Sequence, residues 1–475
     1  MKNRQKRSHI DSFTESEKGT LASSAPLWIA LGYPAPYSVA ASSLGFQTVY
    51  RTWNQHARVG CERFVQAPDQ GTSGTTLESG RPAREANAVA FSLACETDLL
   101  AVVQMLRQMG LSPLSAERPD DAPPVICGGP LTLLDPALMA DLADVVVCGE
   151  GEDALFPIAD ALADARDKSD FLSRVHILRE VGGWVPALQP VPPAAHMVSL
   201  AQLPAFAATW SPLADFKDLF LVEIARGCPR RCAFCLLANS GRFRRIPQDA
   251  ILSKIPDDAS GVGLVGAAVT DHPDLGDIVS SIVATNRRVS LSSMRADRLT
   301  PALLKDLVRG GLRTLTVAAD GSSQCIRDRI HKGITAQHLI DASRMAREMK
   351  LRGLKLYSMV GLPDETDDDI REFAALVTEL AGNIRLTVAV QSFVPKPNTP
   401  LGDGPMLDIK ALKQRLNLFQ RLMKGRVTIQ STSPRWSWVD WRLAHAGPRA
   451  VAVAMMAADE GGEFSAWKRA IDTLL

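Results

Sequence analysis

The chain has 475 residues, with 53 Lys and Arg against 52 Asp and Glu, and 46% of its residues are hydrophobic. This composition excludes disordered and fibrous classes, and a net charge of +1 sets the expectation that nucleic acid is not a partner. No apolar run approaches the ~20 residues of a membrane span, and the charged first 24 residues are no secretory signal, so the expected location is the cytoplasm, with all eight cysteines reduced.

Residues 1–24 read as a disordered tail, and 25–185 as a first domain of alternating strands and helices. LWIALGY (27–33) and AVAFSLA (88–94) are buried-strand candidates, while LGFQTVYRTWN (44–54) and ETDLLAVVQMLRQMG (96–110) have helical spacing. PPVICGG (123–129) and ADVVVCGEG (143–151) are β-rich runs ending in glycine, and residues 66–86 between them and the first helix are loop-like. The alternation predicts a doubly wound, Rossmann-like parallel sheet with its ligand loops at the strand C-termini. On that rule Gly128, Gly129, Gly149 and Glu150 are candidate ligand positions, with tight turns as the alternative. Residues 186–213 hold six prolines and no period, and read as a linker or strap. From 214 to 402 the rhythm resumes. Strand-like runs at 219–227, 261–270, 288–296, 312–320, 351–361 and 384–395 alternate with helical stretches, which predicts a partial (β/α)6 barrel whose chemistry collects at the loops after the strands. Residues 403–475 read as a small helical C-terminal extension. The overall expectation is thus an α/β protein.

The first barrel strand is followed by ARGCPRRCAFCLLANSGRFRR, which sets Cys228, Cys232 and Cys235 in a C-x3-C-x2-C pattern. Thiolates are soft ligands, and three close together can hold three irons of a [4Fe–4S] cluster, leaving the fourth open to a reactant. A structural zinc site is the alternative, but it takes four closed ligands, and the next cysteine, Cys325, is about 90 residues on. His272, after the second barrel strand, is a loop histidine for which solvation is the simpler reading.

With Phe234 in the aromatic slot, the cluster resembles the C-x3-C-x-aromatic-C motif of the radical S-adenosylmethionine (SAM) superfamily. AADGSSQCIRDRIHKG (318–333), GLPDET (361–366) and SFVPKPNTPL (392–401) are similar to that family's fourth-, fifth- and sixth-strand segments. YPAPYSVAASSLGFQTVY, CERFV, LESGRPAREANAVAFSLACETD, VICGGP and DVVVCGEGED resemble the N-terminal half of the subgroup that carries a cobalamin-binding-type domain, and SPRWSWVDWRLAHAGPRA its C-terminal extension. The likeness covers about residues 27–475.

The resemblance implies a [4Fe–4S] cluster on the three cysteines, SAM as co-substrate, and the chemistry of that subgroup: methyl transfer to an unactivated carbon with cobalamin as cofactor. The alternatives it leaves open are a radical cyclisation, ring contraction or rearrangement without cobalamin turnover and, from another class, a non-catalytic metal-binding scaffold. It implies SAM-binding roles for Phe234, Gly266, Ser293, Arg295, Asp320, Ser322, Arg327 and Gly361, with a surface salt bridge as the alternative for Arg327. An electron donor such as a flavodoxin or ferredoxin is the implied partner, and the substrate is a small molecule or peptide. Two departures stand out. Asp320 occupies a position usually held by Glu, and no D-x-H-x-x-G occurs in the N-terminal half to mark a lower axial ligand for cobalt.

Overall fold

A computed structural model describes residues 16–66 and 74–475. The chain divides into two compact units, residues 16–221 with 442–475, and residues 222–441. Both are mixed α/β with parallel sheets, and no helix among the described residues is long and apolar enough to cross a membrane.

The first unit is built on six strands: β1 (Leu27–Tyr33), β2 (Val59–Val65), β3 (Ala88–Ser92), β4 (Val125–Gly128), β5 (Val145–Val147) and β6 (Gly183–Trp184). Their spatial order is β2-β1-β3-β4-β5-β6; the first five are parallel and β6 is antiparallel to β5. Strands buried on both faces need continuous apolar runs, and the last five residues of LWIALGY are all buried. Helix α1 (Leu44–Asn54) starts where Ser43 caps the Phe46 N–H, and it turns Phe46, Tyr50 and Trp53 into the core, where the Trp53 indole donates to the Leu155 carbonyl at 2.9 Å. Helix α2 (Asp98–Gln108) buries Leu99, Val102, Val103 and Leu106, and α3 is Glu152–Asp164.

Three segments that the sequence assigns elsewhere belong to this unit. Of the expected tail, residues 1–15 lie outside the described residues, but 16–24 are anchored at two points: Glu17 is buried and bound to Arg63, and Leu21 exchanges hydrogen bonds with the Tyr50 hydroxyl. The proline-rich stretch is a strap held by its backbone, with His196 bridging to Gly149, and its ring paired with Asp153 at 2.8 Å. The helices Ala450–Asp459 and Phe464–Leu474 pack on each other, and the first lies on α2, so the expected C-terminal extension is split at residue 442. In each case apolar or ionic partners distant in sequence decide where the segment goes. Of the loop-like stretch 66–86, residues 67–73 lie outside the described residues.

The second unit carries β7 (Phe220–Glu223), which begins in the first, then β8 (Ala225–Arg226), β9 (Arg244–Arg245), β10 (Gly261–Val265), β11 (Arg288–Leu291), β12 (Thr314–Asp320), β13 (Gly353–Val360), β14 (Leu386–Ser392) and β15 (Thr428–Ser431). Its principal helices are α4 (Leu275–Ala284), α5 (Pro301–Arg309), α6 (Gln324–Arg329), α7 (Ala336–Glu348), α8 (Asp367–Asn383) and α9 (Ile409–Leu422). Seven of the strands form two sheets, β11-β10-β7 and β12-β13-β14-β15, while β8 and β9 pair by themselves; one bridge between Met294, just after β11, and Val317 of β12 joins the two larger sheets. All six expected strands are present. β15 is a seventh, in a stretch read as helical, because Thr428–Ser431 pairs in parallel with β14. Along β12 and β13 burial alternates with period two: Leu315, Val317 and Ala319 face the helices, while Thr316, Ala318 and Asp320 stay accessible on the other face.

Candidate functional site

The cysteine loop is anchored at both ends and in the middle. β8 and β9 pair antiparallel at its base. Ala233 N–H donates to the Ile330 carbonyl at 3.0 Å, and the Ala233 carbonyl accepts from Leu401 N–H at 3.2 Å. The Cys232 thiol points to the His331 carbonyl at 3.8 Å, and the Asn239 amide caps the Cys235 carbonyl at 2.7 Å. These bonds fix the loop from which Cys228, Cys232 and Cys235 line a cavity of about 310 Å³, at the low end of the volumes of small-molecule sites. Among the described residues no group of three His, Cys, Asp or Glu side chains, these cysteines included, is gathered closely enough to hold a single metal ion. Three thiols lining one cavity are the donor set a polynuclear cluster takes, one iron to each. Burial raises the thiol pKa of Cys228, outweighing the Arg230 backbone N–H beside it, and raises that of Cys232, outweighing the nearby Lys332 ammonium. A soft metal that displaces both protons would therefore bind with release of protons.

Phe234, Ser293, Arg295 and Asp320 share this cavity with the thiols. Phe234 packs against the cluster of Ile326, Ile330, Leu362 and Phe393. Arg295 is fixed by Asp297 at 2.9 Å and by the Lys332 carbonyl at 3.0 Å. Asp320 ends β12 where the register with β13 slips, and its φ of +59° is a conformation that non-glycine residues adopt only at a cost. Its carboxylate pairs with Lys332, which sits between His331 at φ +53° and Gly333 at φ +66°.

Four candidates are not on the cavity wall. One buried carboxylate, Glu365, explains two of them: it accepts from the Ser322 hydroxyl at 2.6 Å and from Gly361 N–H at 2.6 Å, and it pairs with Arg415 at 3.1 Å. Burial pushes the Glu365 carboxyl pKa up despite these three donors. Ser322 is therefore a scaffold donor, and Gly361 is required because its φ is +87° and a Cβ would stand 2.5 Å from Leu412. Gly266 is packed against the Ala225 carbonyl, 2.9 Å from where a Cβ would be. Arg327 is 1% exposed, and its guanidinium is spent on the carbonyls of Ile334, Ser322 and Gly321 at 3.1–3.4 Å and on the Gln324 side chain. It is neither a carboxylate clamp facing the cavity nor a surface salt bridge; it ties the turn after β12 to the loop before α7. His272 is likewise not solvated: it is buried, with its Nε2 2.9 Å from the Ile246 carbonyl.

In the first unit the four candidate residues do not form an open ligand edge. The Glu150 side chain accepts from Val198 N–H at 2.8 Å and its backbone N–H donates to the His196 carbonyl at 2.9 Å. Gly149, at φ +90°, leaves room for that same carbonyl, and Gly129 packs on the Leu93 carbonyl. Gly128 closes β4 against Val147. Of the four, Gly149 and Glu150 are in contact with the strap.

The sequence reading missed Arg230, Asp271, Lys332, Tyr357 and Gln391, which also line the cavity. Tyr357 and Gln391 lie on the accessible parity of β13 and β14, so a period-two reading of those strands would have found them. Arg230 and Asp271 are an ion pair joining the cysteine loop to the loop after β10, and no local signal links them.

Two family profiles match the chain, together over more than half of it: one described as radical SAM proteins, N-terminal, over residues 45–186, and one as the radical SAM superfamily, over residues 222–377. Among curated relatives, an uncharacterised protein of Methanocaldococcus jannaschii is 27% identical over 364 residues, covering 74% of this chain and 76% of that protein. An uncharacterised methyltransferase of Pyrococcus horikoshii is 26% identical over 262 residues, 52% of this chain and 56% of its own length. Two solved structures share the fold at 15% identity. The radical SAM methyltransferase TsrM from Kitasatospora setae, solved with tryptophan and a SAM analogue, superposes with a TM-score of 0.56 over 82% of this chain and 76% of its own. The cobalamin-dependent radical SAM enzyme OxsB superposes with a TM-score of 0.50 over 84% of this chain, but this chain spans only 55% of it.

Proposed function

Because the chain belongs to the radical SAM superfamily, whose members use SAM and a [4Fe–4S] cluster, we propose that it cleaves SAM at a cluster on Cys228, Cys232 and Cys235 and methylates an unactivated carbon with cobalamin as methyl carrier. This reading takes the two sheets of the second unit as an incomplete (β/α)6 barrel and the sheet of the first as doubly wound. The observation that carries it is the shared cavity, lined by the three thiols together with the Asp320–Lys332 pair, which lies close enough to Cys232 to act on its thiol. When bound, the cluster supplies the electron that breaks a carbon–sulfur bond of SAM, the step no side chain can perform.

The chain's own residues bind and orient. The three thiols, deprotonated on loading, fix the cluster on the loop. Asp320, at a strand end and held by Lys332, presents carboxylate oxygens that accept hydrogen bonds from a ribose diol. Phe234 keeps the thiol wall rigid by anchoring it in apolar side chains. Ser293 and Arg295 close the side next to β11, where Arg295 is oriented by Asp297. Ser322, Gly361 and Arg327 act one layer back, holding the turns on which Asp320 stands.

The cobalamin part rests on the shared fold with TsrM and OxsB and on the curated methyltransferase relative. One observation favours the second reading, a radical reaction without cobalamin: the loop that ends β5 is engaged by the chain's own strap. Iron and cobalt analysis after anaerobic reconstitution with hydroxocobalamin separates the two. About four irons and one cobalt per chain is the expected result. Iron without cobalt overturns the cobalamin part alone, and full iron retained in the triple Cys→Ala variant at 228, 232 and 235 overturns the cluster assignment. An external reductant of the flavodoxin or ferredoxin type is the proposed electron donor.

A further inference from the structure

At the strand ends opposite the cavity, the second unit carries a row of guanidinium groups. Arg313 and Arg352 stand immediately before β12 and β13 and are joined backbone to backbone, the Arg352 N–H donating to the Arg313 carbonyl at 2.8 Å. Arg385 stands immediately before β14, where its carbonyl accepts from Leu354 N–H at 2.9 Å. The pairing of Thr387 with Thr428 sets Arg426 opposite Arg385. Neighbouring strands lie about 4.8 Å apart, so four exposed arginines follow one another across the sheet edge. Arg426 donates to the Thr378 hydroxyl at 3.1 Å. The side chains of Arg313, Arg352 and Arg385 make no hydrogen bond or ion pair among the described residues.

This arrangement has a cost that the fold itself does not explain. Like charges opposite one another on adjacent strands repel. Cations in the last turn of a helix offset its dipole, but that effect fades within the turn, and Arg352 and Arg385 stand beyond the ends of α7 and α8. A second feature opens onto the same edge. The solvent stripe of α9 and its C-terminal turn, Gln414, Asn417, Gln420, Arg421 and Lys424, lines a surface groove of about 600 Å³ that holds three amides, two cations and no acid. Lys424 leads directly to Arg426 and the arginine row.

We infer that this groove and row form a docking surface for a single nucleic-acid strand, with the guanidinium groups on phosphates and the amides on sugars and base edges. Arg, Lys, Asn and Gln are the side chains that make such contacts. An acidic protein would be held by the cations, but the desolvated centre of a protein interface is aromatic or aliphatic, and the groove has neither. The row lies about 23 Å from Asp320, the length of the seven-residue β12 at ~3.3 Å per residue, so it positions a partner and takes no part in the chemistry. The near-zero net charge had argued against nucleic acid only because it averages over a surface on which the charges are segregated. The inference does not depend on the radical reaction.

The test is fluorescence anisotropy of the full chain with a labelled single-stranded 20-nucleotide RNA, without substrate and with or without the cluster. Five phosphate contacts on a single strand predict a log–log salt slope of about −3.5, hence roughly 100-fold weaker binding at 200 mM than at 50 mM salt. The variant R313E/R352E/R385E should bind at least tenfold more weakly at 50 mM, with a slope reduced by about 2. Arg166→Glu, exposed in the first unit, should change neither quantity. Thermal melting of the triple variant checks that it folds. Absence of binding at 50 mM salt, or an unchanged affinity in a folded triple variant, overturns the inference. So does competition by poly-L-glutamate as effective, per charge, as competition by poly-uridylate, which would mark the surface as a dock for an acidic protein.

Discussion

Replacing Arg63 by methionine removes a guanidinium that is 2% exposed and that serves three segments at once. Its Nη atoms hold both oxygens of Glu17, one at 3.0 Å, its Nε donates to Glu78 at 2.7 Å, and Nη1 reaches the Thr209 hydroxyl at 3.3 Å. The group also lies 4.4 Å from the Tyr50 ring centroid. Without it two carboxylates remain buried with no cation. Burial alone raises the Glu17 pKa, and Arg63 brings it below the usual value; burial holds Glu78 above it even with Arg63 present. Breaking a buried ion pair on one side costs about 3–5 kcal/mol. For a unit of this size each kcal/mol moves the melting temperature by about 2–4 °C, so the expected drop is roughly 6–20 °C by differential scanning calorimetry. A drop below 2 °C would refute the reasoning. The variant R63M/E17Q/E78Q should recover more than half of the loss, because the cost lies in the stranded charges; no recovery would assign it to packing instead.

Three further outcomes are expected. Gly361→Ala places a Cβ in a left-handed residue 2.5 Å from Leu412 and should lower stability by about 2–4 kcal/mol in urea titration; a change under 0.5 kcal/mol would show that the turn relaxes freely. Asp320→Ala should weaken SAM binding roughly 10–100-fold in equilibrium dialysis of the reconstituted protein with iron content unchanged, the worth of hydrogen bonds to a charged acceptor, and an unaltered affinity removes Asp320 from the site. Burial tends to raise the Glu62 pKa, but hydrogen bonds from Arg81, Ser79 and Thr76 outweigh it and leave the carboxyl below its usual 4.5. Its contribution to stability is therefore complete above pH 4.5 and is lost as pH falls through the lower folded value. Glu62→Gln should accordingly melt with a shallower acid limb below pH 4.5, and identical limbs would count against the shift.

What could be read from the sequence was what local periodicity and spacing encode. The strands at 27–33, 88–92 and 314–320 are apolar or alternating runs with one workable register each, and the cysteine loop is legible because three thiols within eight residues have few other uses. What escaped was set by partners distant in the chain. Nothing in 186–213 says that His196 will bridge to Gly149, and nothing near Glu17 announces Arg63. Arg327 looked like a ligand by motif, but the carbonyls it satisfies are those of a turn whose shape appears only in three dimensions. Lys332, next to a glycine in an unremarkable loop, acquired its place from the left-handed backbone on either side of it.

The discontinuity of the first unit bears on its synthesis. The helix Ala450–Asp459 covers α2, and Gly462 packs on Leu100 of the same helix. During translation α2 emerges more than 300 residues before that cover, which at 5–20 residues per second is roughly 15–70 s. Throughout that interval the nascent chain exposes an apolar helix face with no intramolecular partner, a natural point of engagement for a ribosome-associated chaperone. A stop codon after Trp441 would leave the face bare for good, so such truncations should be insoluble even though residues 222–441 are all present.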